Sequence, residues 1–317
     1  RIRNMLKWSG IVLFEAVVNP TLYLVSIGIG VGSLIDANNG VNGVSYLTFL
    51  APALLASAAI QGAIDEVTFP TLQGFKWAKN FFAMNSTPIV DVIIPAFNEE
   101  KSIAKVIGDI PALVRHVVVA NNNSTDRTAE VALAAGAKVV FEPQKGYGKA
   151  CLTAMDWIKQ QGVQPDILVF LDGDYSDYPQ ELEELIAPIT AGKADLVLGS
   201  RAMGEREAGS MTIPQVFGNA LATTLMRWMY GAKFSDLGPF RAIQWGKLIA
   251  LGMVDQNFGW TIEMQIKAHQ AGLNYLELPV RYRKRIGVSK VSGTVKGVIG
   301  AGYKIIFTIF KYWRLFR

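Results

Sequence analysis

Asp172, Gly173 and Asp174 follow directly on the apolar run "DILVFLD". Two carboxylates with one Gly between them can be aimed at a single hard cation. Mg²⁺ or Mn²⁺ prefers oxygen ligands and is often held by one or two carboxylates while substrate phosphates complete the shell. Taken alone, an Asp-x-Asp is more often an ordinary solvated turn. Three more polar clusters stand behind β-rich runs in the same way: "PAFNEE" over 95–100, "NNNSTD" over 121–126 and "EPQKGYGKA" over 142–150. In the last, Gly146 and Gly148 let backbone approach a diphosphate, with Lys145 or Lys149 alongside. It is not a P-loop, because Pro143 stands where the first Gly is required and Ala150 where Ser or Thr is.

The clusters need elements to position them. From Val90 onward, short β-rich runs alternate with helical segments. "VDVIIPAF", "HVVVAN", "KVVFE", "DILVFLD" and "DLVLGS" read as strands. Residues 99–114, 125–135, 149–161 and 179–191 read as the helices between them. Such alternation predicts βαβ units and a mostly parallel sheet covered on both faces. In an open α/β sheet, ligands sit outside the carboxyl ends of the strands, which is where all four clusters fall.

Over about residues 90–290 the chain resembles the family 2 glycosyltransferases of the GT-A fold, in the branch around the dolichyl- and polyprenyl-phosphate sugar synthases. The resemblance rests on "VIIPAFNEE", "NNNSTDRT", "KGYGKA", "LDGDYSDYP", "GSR", "DLGPFRAI", "WTIEMQIKA" and "ELPVRYRKRIGVSK", in that order. It implies a nucleoside pocket at Pro95, Ala96, Asn98 and Glu100 with Asn122 near the base, and Lys145 and Gly148 at the diphosphate. Asp172 and Asp174 would hold the metal. Arg201, Arg241, Arg283, Arg285 and Lys290 would face phosphate groups of donor or acceptor. Glu263 stands where the family has an acid near the acceptor. The family usually offers Asp where this chain has Asn121 or Asn122. An amide oxygen can still accept from a uracil N–H, and UDP-sugar is favoured over GDP-sugar. No Gln-x-x-Arg-Trp follows, which argues against the processive branch.

Transfer from a nucleotide-sugar requires the leaving diphosphate to be neutralised, by a divalent metal together with Arg or Lys. A polyprenyl phosphate acceptor is already mostly dianionic at pH 7 and needs cationic positioning more than a base. For a hydroxyl acceptor, Glu263 or Asp236 would be the base.

The 317 residues are a prior for about two domains. Half are apolar and 18% charged, with a mean hydropathy of +0.25, which excludes a disordered chain. One cysteine, Cys151, excludes a disulfide framework. Net charge is +5, yet ten Lys and Arg and no acid follow Glu277. They are interleaved with apolar and aromatic residues, which suits an anionic membrane surface better than nucleic acid. At 100° per residue, Lys296, Lys304, Lys311 and Arg314 fall within about 80° of one another, predicting a basic amphipathic helix over 293–317.

Residues 11–35 and 44–64 are apolar enough to predict a two-helix transmembrane hairpin. Lys and Arg at both ends place those ends, and the catalytic domain over 89–292, on the cytoplasmic face of the cell membrane. "NPTLYLVSIGIGVGSLI", "YLTFLAPALLASAAIQGAIDEVTFP" and "KWAKNFFAMNSTP" resemble the start of an ABC-type exporter permease over about 1–88. That opens a second reading, a truncated exporter subunit or a chimera in which only the transferase part works.

Overall fold

The computed structural model describes residues 19–37, 41–46, 48–50, 52, 87–287 and 295–315. The chain divides into two compact units, Arg1–Ser86 and Thr87–Arg317. In the first, helix α1 (Asn19–Asp36) starts at the Asn-Pro pair that weakens the first apolar run. Val41 and Val44 then exchange backbone hydrogen bonds across Asn42 and Gly43, both at positive φ, as an Asn-Gly hairpin turn requires. Among the described residues no helix is long and apolar enough to cross a membrane. The structure therefore gives no support to the predicted transmembrane hairpin. Most of its second arm, 44–64, and most of the permease-like stretch over 1–88 lie outside the described residues.

In the second unit, seven strands form one sheet among the described residues, in the order β3-β2-β1-β4-β6-β5-β7. They are β1 (Val90–Ala96), β2 (Val114–Asn121), β3 (Lys138–Phe141), β4 (Ile167–Phe170), β5 (Leu196–Ser200), β6 (Arg241–Gln244) and β7 (Tyr275–Pro279). Strands β1 to β4 pair in parallel, as does β5 with β7. Strand β6 enters between β4 and β5 and runs antiparallel to both. The sheet is therefore mostly parallel, as expected, with one antiparallel strand inserted. The sequence pattern shows the five runs that became β1 to β5, but four residues of β6 carry too little periodicity to announce themselves.

Both faces are covered, which explains the near-continuous apolar strands. On one face Ile93, Leu168 and Phe170 pack against α4 (Tyr147–Lys159), α6 (Ile213–Tyr230), α7 (Trp245–Leu251) and α8 (Trp260–Gln270). On the other, Val92, Ile94 and Val169 pack against α2 (Ile103–Gly108), α3 (Thr128–Ala134) and α5 (Leu182–Thr190). Helix α2 is much shorter than the predicted 99–114, since Pro111 lacks an N–H and disfavours helical geometry at Ile110. Helix α6 starts with a capping box between Thr212 and Gln215 and ends at Gly231, φ +73°.

The last helix, α9 (Val295–Leu315), is packed on the domain along one side. It docks on α6 and α8 and buries Ile309 and Tyr312 in the core. Lys304, predicted on the basic face, instead pairs with Asp255 at 2.8 Å.

Candidate active site

Beyond the carboxyl ends of β1, β2 and β4 lies a cavity of about 310 Å³. Pro95, Ala96 and Phe97 form one wall, Asn122, Lys145, Gly146 and Tyr147 another, and Asp172, Gly173 and Asp174 line it from the end of β4. Glu99, Phe258 and Arg285 complete the lining. Four rim clusters and the strap after β7 thus converge on one space.

The loops are held by side chains the pattern made look functional. Asn98 adopts φ +56° and its Oδ1 accepts from the Thr125 N–H at 2.8 Å. Glu100 Oε2 accepts from the Arg127 N–H at 3.1 Å. Neither lines the cavity; both pin the β1 loop to the β2 loop. Asn122 does line it, but its amide is spent on the glycine loop: Oδ1 accepts from the Gly146 N–H at 2.8 Å and Nδ2 donates to the Gln144 carbonyl at 2.7 Å. Gly148 faces away from the cavity, against the Asp255 backbone, where a Cβ would lie 2.0 Å from the carbonyl oxygen. A Cβ on Gly146 would lie 2.2 Å from that of Gln256. These two glycines thus serve the close approach of a neighbouring loop. Lys145 lies over the Phe97 ring at 4.8 Å, at the cavity wall. Lys149 turns instead to Glu142 at 3.7 Å.

The electrostatics centre on Asp172 and Asp174. Burial, followed by the charge of Asp174, pushes the Asp172 carboxyl up to about 7, although the Tyr147 hydroxyl donates to it at 3.1 Å. Asp174 Oδ1 accepts from the Ser176 N–H at 2.9 Å, and Oδ2 pairs with Arg285 at 3.1 Å. Arg285 also donates to Glu99 at 2.8 Å. Burial pushes the neighbouring Asp177 well above the ordinary carboxylate range, with the charges of Asp172 and Asp174 adding to it.

Several predicted site residues lie elsewhere. Glu263 is fully buried and accepts from the Val254 and Asp255 N–H groups, Tyr312 and Lys267. It organises the 254–259 loop and does not line the cavity. Arg201 forms a two-pronged pair with Asp236, so Asp236 is bound to a cation instead of standing ready as a base. Arg241 is fully buried and donates to the Thr261, Leu237 and Gly238 carbonyls; burial holds it down to about 10. Arg283 donates to the Tyr175 and Asp177 carbonyls and lies 3.3 Å from the centre of the Tyr175 ring. Of the predicted phosphate-facing cations among the described residues, only Arg285 lines the cavity; Lys290 lies outside the described residues. Sequence reasoning missed Phe97, Glu99 and Tyr147, which sit inside quoted motifs, and Phe258, for which the sequence carries no local signal.

Asp236 lines a second cavity of about 290 Å³, together with Arg206, Val216, Asn219, Arg227 and Ser235.

The two-carboxylate donor set fits a divalent cation whose shell is finished by substrate. Among the described residues no group of three or more His, Cys, Asp or Glu side chains could hold one unaided. Two acids with phosphate oxygens are the usual Mg²⁺ or Mn²⁺ arrangement.

A family model described as glycosyl transferase family 2 matches residues 91–248. An uncharacterized glycosyltransferase of Mycobacterium tuberculosis is 35% identical over 229 residues, spanning 71% of this chain and 97% of the relative. The polyprenol monophosphomannose synthase of Mycolicibacterium smegmatis is 30% identical over 219 residues, 64% of this chain and 81% of that protein. A crystal structure of glucosyl-3-phosphoglycerate synthase from Mycobacterium tuberculosis, in complex with Mn²⁺, UDP-glucose and phosphoglyceric acid, has a TM-score of 0.58 at 21% identity. It covers 73% of this chain and 82% of that one. With a strand-end pocket built around Asp172 and Asp174, and a relative matched over nearly its whole length, this chain belongs to the family 2 glycosyltransferases.

Proposed function

We propose that the chain is a metal-dependent, inverting transferase that moves one sugar from a nucleotide-diphosphate sugar, UDP-sugar first, to polyprenyl phosphate at the cytoplasmic face of a membrane. The observation that carries this is the paired carboxylates Asp172 and Asp174 in the 310 Å³ cavity, facing the glycine loop with Lys145. The M. smegmatis relative, a polyprenol monophosphomannose synthase, supports the lipid phosphate as acceptor.

In this reading the wall of Pro95, Ala96 and Phe97 takes the nucleoside, and Asn122 holds the loop that shapes its edge. Asp172 and Asp174 would hold Mg²⁺ or Mn²⁺, which when bound neutralises the leaving diphosphate. Lys145 and Arg285 add positive charge beside the same oxygens. A phosphate oxygen of the lipid attacks the anomeric carbon from the face opposite the diphosphate. The bond from that carbon to the diphosphate oxygen breaks, and the nucleoside diphosphate leaves with the electron pair. The attacking oxygen carries no proton that must be removed, so the commitment of Glu263 and Asp236 to internal bonds costs the reaction nothing.

The second cavity suits an anionic lipid head, because Arg206 and Arg227 stand beside Val216. The membrane reading draws on two exposed apolar stripes. Ile213, Phe217, Leu221 and Trp228 recur at helical spacing on α6, and Ile299, Tyr303, Phe307 and Phe310 on α9. Exposed Lys311 and Arg314 follow them, a pattern suited to an anionic lipid surface.

The test is to incubate the purified 317-residue chain with Mn²⁺, polyprenyl phosphate and labelled UDP- or GDP-sugars, and to count label in the organic phase. Label that requires both metal and lipid supports the reading. Nucleotide release without lipid labelling removes the acceptor assignment, and label retained in EDTA removes the metal.

A further inference from the structure

The strap after β7 is laid across the cavity rim by backbone bonds: the Arg283 N–H donates to the Ser176 carbonyl and the Ile286 N–H to the Asp174 carbonyl, each at 2.9 Å. Arg285 between them is thereby fixed over two acids. Its Nη2 lies 2.8 Å from Glu99 Oε1 and its Nη1 lies 3.1 Å from Asp174 Oδ2. The other Asp174 oxygen, Oδ1, is taken by the Ser176 N–H and hydroxyl. The oxygen of Asp174 left for a cation is therefore the one Arg285 holds.

We propose that Arg285 is the exchangeable counter-cation of the Asp172–Asp174 pair. It holds Asp174 Oδ2 until a divalent cation takes that oxygen, then pivots on Glu99 to meet the phosphate oxygens arriving with the cation. The inference rests on the metal-dependent reading above. Asp174 is buried and Asp172 beside it is partly buried; two such carboxylates without a cation are costly, and the guanidinium relieves that cost for Asp174. A guanidinium and a divalent cation on the same oxygen repel each other, so the arrival of the cation weakens the Arg285 contact and favours its exchange. The Glu99 bond does not involve Asp174 and can survive the exchange. The Arg285 Nε is buried and donates to no group among the described residues, which leaves an N–H for an incoming oxygen. A planar guanidinium fork suits phosphate better than the point charge of Lys.

The test uses Mn²⁺ alone as probe, with the full chain and no nucleotide, and reads free Mn²⁺ by its electron paramagnetic resonance signal. Arg285→Met should bind Mn²⁺ at least about tenfold more tightly than wild type, equivalent to about 1.4 kcal/mol. Arg285→Lys, which keeps the charge, should bind as weakly as wild type. With Mn²⁺ present, Arg285→Met should bind UDP more weakly than wild type, because the pivoted guanidinium is gone. Adding Asp174→Asn to Arg285→Met should abolish the gain in Mn²⁺ affinity. Equal, weaker or undetectable Mn²⁺ binding by Arg285→Met overturns the proposal, as does a gain that persists without Asp174. Turnover in EDTA equal to that with Mn²⁺ overturns the metal reading and this proposal together. A metal-requiring enzyme whose Arg285→Met variant gains no affinity overturns the proposal alone.

Discussion

Arg201 and Asp236 face each other as a fork on a carboxylate, with Nε and Nη2 each donating at 2.8 Å to a different oxygen, while the Arg201 N–H donates to Oδ2 at 2.7 Å. The pair joins the loop after β5 to the loop before β6, so it ties the antiparallel insertion to the rest of the sheet. Burial pushes the Asp236 carboxyl up, but the Arg201 bonds and charge outweigh it and hold it below the ordinary range.

That depression has a sign. A carboxylate whose folded value is lowered contributes stability that is present above its unfolded value, about 3.9, and is lost as pH falls through the folded value. The Tm gap between wild type and Asp236→Asn should be constant from about pH 7 to 5 and narrow below about pH 4. Thermal melts across that range check it; a gap that widens on acidification would contradict the assignment.

Asp174→Asn keeps the shape of the side chain but removes the charge that would hold the metal. Turnover should fall at least about 100-fold, beyond the 10–100-fold usual for groups outside the ligand shell. Circular dichroism and the melting curve should stay near those of wild type. Wild-type turnover by this variant would remove Asp174 from the metal site.

Gly148→Ala places a methyl against the Asp255 carbonyl, which is backbone and cannot swing aside. Overpacking of this kind costs about 1–3 kcal/mol, and the push falls on the loop that carries Lys145 and Gly146. Donor KM should rise more than kcat falls. A variant with unchanged KM and unchanged stability would show that the 254–259 loop yields freely.

Glu263→Gln separates the structural from the catalytic role. Glu263 holds the Val254 and Asp255 N–H groups and meets Tyr312 of α9 and Lys267 of its own helix. Loss of its charge should cost about 1–3 kcal/mol of stability, while turnover per folded molecule stays within a few-fold of wild type. A catalytic base would give the reverse, an unchanged Tm with collapsed turnover.

Replacing Ile213, Phe217 and Trp228 together by Ser removes an exposed stripe without touching the core. Binding to vesicles containing anionic lipid should weaken at least tenfold, since each apolar side chain contributes about 1.5–3 kcal/mol when buried. Flotation assays measure this. Unchanged binding would place the membrane contact elsewhere.

The strand-and-helix alternation from Val90, the four clusters at strand ends and the aspartate pair are legible in the sequence, because each depends on residues close together in the chain. Strand periodicity, glycine placement and a carboxylate behind an apolar run are local facts. Pro95, Ala96, Asn122, Lys145, Asp172, Asp174 and Arg285 were all identifiable from motifs and all line the cavity.

Which acids and cations are spent on each other depends on contacts between distant parts of the chain. Glu263 and Tyr312 are 49 residues apart, and Arg285 and Glu99 are 186 apart. No spacing rule reaches that far, so a buried hub and a catalytic acid look alike in sequence. The same reason applies to α9: its wheel shows a basic face, but a wheel cannot show that Asp255 waits opposite Lys304 or that a pocket in the core accepts Ile309 and Tyr312. The insertion of β6 between β4 and β5 is likewise a matter of pairing across the chain, decided by which backbone edges meet and not by the four residues of the strand.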